Sequence, residues 1–106
     1  MGRRIYNKLV RDRIPEIIQA SGGSCTTEIL SDKDYLRMLD AKLDEELAEY
    51  HRDQNVEELA DLMEVIRAAA SARGCGPEEL ERIRAKKAAE RGGFERRILL
   101  KEVVED

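Results

Sequence analysis

The sequence predicts a mainly α protein, a compact helical bundle with a small β appendage. Apolar residues recur at three- and four-residue steps through most of the chain, which indicates amphipathic helices. Gly or Pro interrupts this pattern where helices would begin and end. Only 4% of the 106 residues are aromatic, so aliphatic side chains must supply the core. The length predicts one domain, spanning residues 1–106.

The first third of the chain predicts a short helix, a strand and the start of a long helix. The opening YNKLVRDR is irregular or extended, and Pro15 fits the first turn of a helix that the glycines at 22–23 end. The segment SCTTEIL is short and β-rich, which predicts a strand. Ser31 or Asp32 then caps a helix that runs to about Arg52.

The rest of the chain predicts two further helices and a final strand. Asn55 caps the third helix, which ends by Gly74, and Pro77 starts a fourth that the glycines at 92–93 end. FERRILLKEVVE predicts a strand that pairs with SCTTEIL. The two central helices carry the apolar stripes Leu36, Leu39, Leu43, Leu47 and Tyr50, and Leu59, Leu62, Met63, Ile66 and Ala70.

Composition excludes several classes of protein. The net charge of −4 gives no basic field, so we expect no nucleic-acid partner. No apolar run approaches the roughly 20 residues of a membrane span, and the charged start lacks a signal-peptide core, so we expect a cytoplasmic protein without a membrane partner. Charged residues make up 40% of the chain, which leaves a thin core. We therefore expect a homo-oligomer, a dimer or a tetramer.

Two clusters of acids stand beside the apolar stripes of the central helices. Glu46 and Glu49 flank the first stripe and Glu58 and Asp61 flank the second, while Glu45 points nearly opposite the first stripe. Antiparallel packing would bring the four flanking carboxylates together, and such a site suits Mg²⁺ or Mn²⁺. The alternative is that both clusters are solvated surface. The residues alone leave these two interpretations open.

The acidic motifs and their flanking segments resemble a known superfamily. EELAE (45–49) followed by ELAD (58–61) is similar to the E-E-x-x-E … E-x-x-D signature of the all-α nucleoside triphosphate pyrophosphohydrolases. That superfamily includes MazG proteins, dimeric dUTPases and phosphoribosyl-ATP pyrophosphohydrolase. YNKLVRDRIPEII and KKAAERGGF resemble a small, single-domain, house-cleaning branch, and the resemblance covers about residues 6–98.

This resemblance implies a helical bundle that binds Mg²⁺ and cleaves a nucleoside triphosphate to the monophosphate and pyrophosphate. The implied metal ligands are Glu46, Glu49, Glu58 and Asp61. Glu45 is a candidate general base or a group that supports the ligands. Only eight residues separate Glu49 from Glu58, which leaves little room for an insertion that recognises a base.

Basic residues before the late glycines are candidate phosphate contacts. Without the resemblance, Lys86, Lys87 and Arg91 would merely complement the dipole of the fourth helix. With it, Lys87 and Arg91 are expected to contact the triphosphate, and Lys86 is a further candidate. Arg11, in KLVRDRIP, is the candidate from the N-terminal segment.

Two other functions remain open. One is the phosphoribosyl-ATP pyrophosphohydrolase of histidine biosynthesis, although the N-terminal YNKLVRDRIP is not typical of that family. The other is a non-catalytic helical oligomer that binds a nucleotide without turnover, or whose acids are solvated surface.

Overall fold

The computed structural model describes residues 2–105, which form four helices and, within that range, no strand. The helices are α1 (Ile14–Ala20), α2 (Asp32–Asp53), α3 (Val56–Ala72) and α4 (Pro77–Arg91). The prediction of a mainly α, helical-bundle protein is therefore confirmed.

The two central helices begin at the predicted capping residues. The Ser31 side chain accepts a hydrogen bond from the Asp34 backbone N–H at 3.2 Å, which selects Ser31 over Asp32 as the cap of α2. The Asn55 side chain accepts from the Glu58 N–H at 3.0 Å and caps α3 in the same way. Local capping chemistry thus fixes where both helices start.

Only two residues connect α2 to α3, and they turn the chain sharply. Gln54 adopts a left-handed conformation with φ of 56°, and its backbone N–H donates to the Tyr50 carbonyl at 2.7 Å. Its side-chain amide donates to the His51 carbonyl at 3.1 Å. Asn55 follows at once as the cap of α3. This short connection makes α2 and α3 an antiparallel hairpin.

One seam along α2 carries the most buried residues of the hairpin. Leu39 is 4% exposed and Glu46 is 7% exposed, and Leu43 and Tyr50 are half-buried. These four positions follow one another at steps of four, three and four residues, which places them along one side of the helix. The seam therefore contains a carboxylate at a position that a leucine would ordinarily fill.

The predicted stripe of α3 is only partly packed, since Leu62 and Ala70 are half-buried and its other three members are exposed. Leu59, Met63 and Ile66 are 38%, 60% and 40% exposed, whereas Glu58 and Asp61 are half-buried. The acids therefore share the packed side of α3 with Leu62 and Val65, which are also half-buried. An apolar face therefore runs along the outside of the hairpin.

The predicted β appendage is wrong for the described residues. Both segments, 24–30 and 94–105, lack strand structure, and Ile29 and Phe94 are 97% and 96% exposed. A β-favouring sequence forms a strand only against a neighbouring strand and a packed face. Neither segment lies against such a partner within residues 2–105, so composition alone misled the prediction.

The packed part of the chain is small. Leu39 is the one buried apolar residue among residues 2–105, and in that range α1 packs against no other helix while α4 packs only against α3. The radius of gyration is 18.7 Å, against about 13 Å for a typical folded chain of 100 residues. Within the described residues, no helix is both long and apolar enough to cross a membrane.

Leu39→Ala should lower the free energy of unfolding by about 2–5 kcal/mol, because it leaves a cavity at the most buried apolar position of the seam. Urea denaturation followed by circular dichroism measures this change. Ile29→Ala is the matched control, since that side chain is 97% exposed and its loss should change stability by no more than about 0.5 kcal/mol. Equal effects for the two variants would contradict the packing described here.

Candidate metal centre

Five carboxylates meet on the α2–α3 hairpin near its connection. Carboxylate oxygens of Glu46, Glu58 and Asp61 lie within 4.8 Å of one another, as do those of Glu45, Glu46 and Glu49. Glu46 belongs to both groups and joins them. We call these five residues the acidic cluster.

The fold brings these acids together by a simple geometry. Glu49 lies on the last turns of α2 and Glu58 in the first turn of α3, so the two-residue connection sets them beside each other. Glu46 and Asp61 each lie three residues further from the connection, one turn along their helices. Glu49 and Glu58 therefore lie nearest the connection, and Glu46 and Asp61 lie one helical turn further from it on their two helices.

Glu46 is the most constrained member of the cluster. Its side chain is 9% exposed, and the buried Oε2 atom has no hydrogen-bond partner. Its other oxygen, Oε1, lies 3.5 Å from the Lys42 ammonium. Burial, followed by the nearby charge of Glu49, holds the pKa of Glu46 above its ordinary value. A buried carboxylate oxygen without a donor is costly unless a cation completes its environment.

Glu58, on the facing helix, also lacks a partner for one of its carboxylate oxygens. Its Oε2 atom is also buried without a hydrogen-bond partner. Desolvation and the charges of Glu49 and Asp53 raise the pKa of Glu58. Two unpartnered oxygens therefore face one crowded region from opposite helices.

The chemistry of the donor set fits a hard divalent cation. All donors are carboxylate oxygens, which suit Mg²⁺ and Mn²⁺ and are poorly matched to thiolate-preferring metals. The grouped oxygens lie within 4.8 Å of one another, and two opposite Mg²⁺–oxygen bonds span about 4.2 Å, so a small closure of the side chains would bring several oxygens to one ion. Among residues 2–105, the acid groups able to hold a metal contain neither His51 nor a cysteine.

Three of the four residues predicted as metal ligands, Glu46, Glu58 and Asp61, lie in one group of carboxylates, and the fourth, Glu49, lies in the other group, which shares Glu46. Glu45 was expected to point away from the seam, but its carboxylate joins Glu46 and Glu49. Helical periodicity gives the direction of the Cα–Cβ bond, and a glutamate is long enough to fold back from it. Lys42 Nζ lies 3.5 Å from Glu45 Oε1 and draws the carboxylate toward the cluster.

The candidate phosphate contacts divide into two sets. Arg11 lies at the cluster, with Nη2 at 2.7 Å from Asp61 Oδ1. Lys86, Lys87 and Arg91 are exposed on α4, and within residues 2–105 no ion pair connects them to the acidic cluster. Lys86 instead lies 4.0 Å from Glu90 on the same helix. Apart from the half-buried Leu80 and Ala88, α4 is exposed throughout, so little packing directs its basic end toward the hairpin.

Lys42 at the cluster was missed as a site residue, and Lys8 was named only among the residues of KLVRDRIP that could reach a neighbouring site, without a role. Lys42 lies three residues before Glu45 and four before Glu46, a helical spacing that could have identified it. Lys8 contacts Glu45 across 37 residues of sequence, with Nζ 3.1 Å from Oε1. No local pattern predicts a contact at that separation.

Comparison with known proteins gives a partial match. Over 42 residues, the chain is 62% identical to an uncharacterized protein of Mycolicibacterium smegmatis (strain ATCC 700084 / mc(2)155). The match covers 40% of this chain and 43% of that protein's length. No family model and no solved structure matches the chain. These comparisons assign neither a family nor an activity.

Glu46→Gln should stabilise the metal-free protein more at pH 7 than at pH 4.5. The pKa of Glu46 is raised on folding, so the folded protein binds this proton more tightly than the unfolded chain does. As the pH rises through this raised pKa, Glu46 becomes charged in the folded protein and the free energy of unfolding falls. Glutamine stays neutral, so the variant does not show this fall. Urea unfolding of both proteins in EDTA at the two pH values measures the difference.

Glu64→Gln is the matched control for the pH experiment, because Glu64 is exposed on the same hairpin and lies outside the acid groups. Its effect on the free energy of unfolding should be small at both pH values. If Glu46→Gln has the same effect at pH 7 and pH 4.5, burial of the Glu46 charge does not govern the stability of the seam.

Proposed function

We propose that this protein is a Mg²⁺-dependent nucleoside triphosphate pyrophosphohydrolase, also able to use Mn²⁺, that converts a triphosphate and water to the monophosphate and pyrophosphate. The observation that carries the proposal is the buried, unpartnered Glu46 oxygen within a group of convergent carboxylates on two helices. Surface acids are solvated and do not favour a cation, whereas a buried carboxylate is stable only when it is paired with a cation or takes up a proton. The EELAE … ELAD motif, on these same residues, supplies the link to pyrophosphohydrolysis.

Four residues of the acidic cluster would hold the metal. Glu46 and Glu49 on α2 face Glu58 and Asp61 on α3, and their oxygens approach from two sides of one space. A bound Mg²⁺ would neutralise the phosphate oxygens and provide an activated water. The residues around it would orient the triphosphate and accept the proton of the attacking water.

Glu45 is the proposed proton acceptor. Its carboxylate joins the cluster but is 25% exposed, so water can reach it, unlike the buried Glu46. Lys8 and Lys42 both contact its Oε1 atom, at 3.1 and 3.5 Å. In the alternative role, Glu45 would hold these two lysines near the substrate and accept no proton.

Arg11 is the proposed phosphate contact that already lies at the cluster. A guanidinium offers two parallel N–H groups to a phosphate, a geometry that suits the end of a triphosphate chain. Lys86, Lys87 and Arg91 are proposed as further phosphate contacts, which requires α4 to approach the hairpin when the substrate binds. The substrates we propose are non-canonical nucleotides, in keeping with the house-cleaning branch that the sequence resembles.

The exposed apolar face of the hairpin supports a homo-oligomer, which we propose to be a dimer or a tetramer. Leu59, Met63 and Ile66 lie on one side of α3 and are substantially exposed. Their spacing of four and three residues forms a stripe of the kind that packs against another helix. With Leu39 the one buried apolar residue of the described chain, a second copy would supply the missing hydrophobic burial.

Purified protein should release pyrophosphate from at least one member of a panel of canonical, deoxy and damaged nucleoside triphosphates, only when Mg²⁺ or Mn²⁺ is present. Glu46→Gln and Asp61→Asn should each reduce turnover by about 100-fold or more, since loss of a group that merely supports metal ligands already costs 10–100-fold. Glu64→Gln, exposed on the same hairpin, should retain turnover.

The panel also separates the alternative functions. Turnover of phosphoribosyl-ATP alone would place the protein in histidine biosynthesis. Nucleotide binding without pyrophosphate release would indicate a non-catalytic binding protein. Retained turnover in Glu46→Gln and Asp61→Asn would mean that the acidic cluster is not the catalytic site.

Met63→Glu should shift the protein toward the monomer in sedimentation velocity at micromolar concentration. A charge at the centre of the exposed stripe would be costly to bury between two copies. Glu64→Lys, a charge change at the neighbouring exposed position, should leave the sedimentation coefficient unchanged. A monomeric wild-type protein would rule out the proposed oligomer.

A further inference from the structure

The N-terminal segment places two cations on the acidic cluster. Lys8 Nζ lies 3.1 Å from Glu45 Oε1, and Arg11 Nη2 lies 2.7 Å from Asp61 Oδ1. Glu45 belongs to the acid group on α2, and Asp61 belongs to the group that spans both helices. The two basic residues, three positions apart in the sequence, therefore each pair with one acid of a different group.

Little else holds this segment in place. Within the described residues, α1 packs against no other helix, so the chain after residue 13 does not fix the segment to the hairpin. The Arg11 backbone carbonyl accepts from the Ile14 N–H at 3.0 Å, which ties the backbone of the segment to the start of α1 and not to the hairpin. Leu9 is half-buried, while Ile5, Tyr6 and other neighbours are exposed. The two ion pairs are thus the main polar link between segment and hairpin.

Both ion pairs are accessible to solvent and to competing ions. Lys8 is 50% exposed and Arg11 is 56% exposed, and Asp61 is 42% exposed. Exposed pairs of this kind are weak and are screened by salt. A divalent cation in the cluster would offer Asp61 a stronger partner than a solvated guanidinium does.

The buried oxygens inside the cluster lack a partner. Neither Lys8 nor Arg11 contacts Glu46, whose buried Oε2 atom has no partner, and the same holds for Glu58 Oε2. The segment therefore pairs with Glu45 and Asp61 and leaves Glu46 Oε2 and Glu58 Oε2, the inner oxygens of the cluster, without a partner. A small cation that enters the cluster would satisfy the inner oxygens and would compete with Arg11 for Asp61.

We propose that residues 8–11 form a counter-ion strap, which neutralises Glu45 and Asp61 in the metal-free protein and is displaced when a divalent cation binds. This inference rests on the proposed metal-dependent function and deepens it. Displacement frees the Arg11 guanidinium beside the metal centre, where the phosphates of a nucleotide would lie. Metal binding and phosphate binding are then coupled through one side chain.

Arg11 and the metal compete for Asp61, so the removal of Arg11 should strengthen metal binding. Arg11→Gln removes the competing charge and should raise the affinity of the protein for Mn²⁺ alone by about two- to fivefold, the range expected for an exposed ion pair. Lys8→Gln should act in the same direction. Isothermal titration calorimetry at constant ionic strength, without nucleotide, measures the dissociation constants.

Arg13→Gln is the matched control. Arg13 belongs to the same basic run but pairs with Glu16 rather than with the acidic cluster. It removes the same charge from the chain, so any effect of net charge alone appears in it equally. Its dissociation constant for Mn²⁺ should match that of the wild type within the error of the titration.

Limited proteolysis gives a second measurement that does not depend on activity. Trypsin cleaves after Lys8 and Arg11, and mass spectrometry identifies the products. Mn²⁺ should accelerate cleavage after these two residues by about threefold or more, since the strap leaves the acids. Cleavage after Arg84, whose partner is Glu81 on α4, should keep the same rate with and without Mn²⁺.

The outcomes separate the strap from the proposed function. If the wild type binds Mn²⁺ and Arg11→Gln binds it equally or more weakly, the strap is overturned. The pyrophosphohydrolase proposal then still stands. Tighter Mn²⁺ binding by Arg11→Gln in a protein that hydrolyses no nucleotide supports the strap and overturns the enzyme. If neither protein binds Mn²⁺, both proposals are overturned.

Discussion

The structure depends on the placement of a glutamate inside the contact between two helices. Glu46 occupies a seam position of α2 and is almost completely buried, and the facing helix presents Glu58 and Asp61 beside half-buried apolar side chains. Hydrophobic packing and electrostatic repulsion therefore act at the same place in opposite directions. The hairpin is held by Leu39 and its neighbours on one side of this region and by the tight turn on the other. Such an arrangement favours a bound cation, because the cation converts repulsion into attraction.

The basic residues around the cluster differ in how firmly they are placed. Lys42 lies on α2 and is only 20% exposed, so it is a permanent part of the hairpin. Lys8 and Arg11 come from the N-terminal segment, outside the helices, and their ion pairs are exposed. Lys86, Lys87 and Arg91 lie on a helix that packs only against α3 within the described chain. The cations around the cluster thus range from one that is held within the hairpin to several that are exposed outside it.

Sequence alone was sufficient where the physical cause is local. The caps at Ser31 and Asn55, the helix bounds and the meeting of Glu46 with Asp61 all follow from hydrogen bonds and helical periodicity within a few residues. Periodicity could not give the reach of the Glu45 side chain, which folds back toward the cluster. The strands could not be predicted from composition, because a strand needs a partner that the segments 24–30 and 94–105 do not meet. The contact of Lys8 with Glu45 depends on tertiary structure that no short pattern encodes.

The two-residue turn at Gln54 lies where a hinge between α2 and α3 would be, and this determines how a change in the angle between the helices moves each residue. Every member of the acidic cluster lies within three helical turns of this pivot, whereas the helix ends that lead to α1 and α4 lie far from it. For a given change in the angle between α2 and α3, displacement grows with distance from the pivot. A change of angle that separates the distant ends by several ångströms therefore moves the carboxylates much less. The open end of the hairpin can therefore move while the spacing of the acids stays nearly constant.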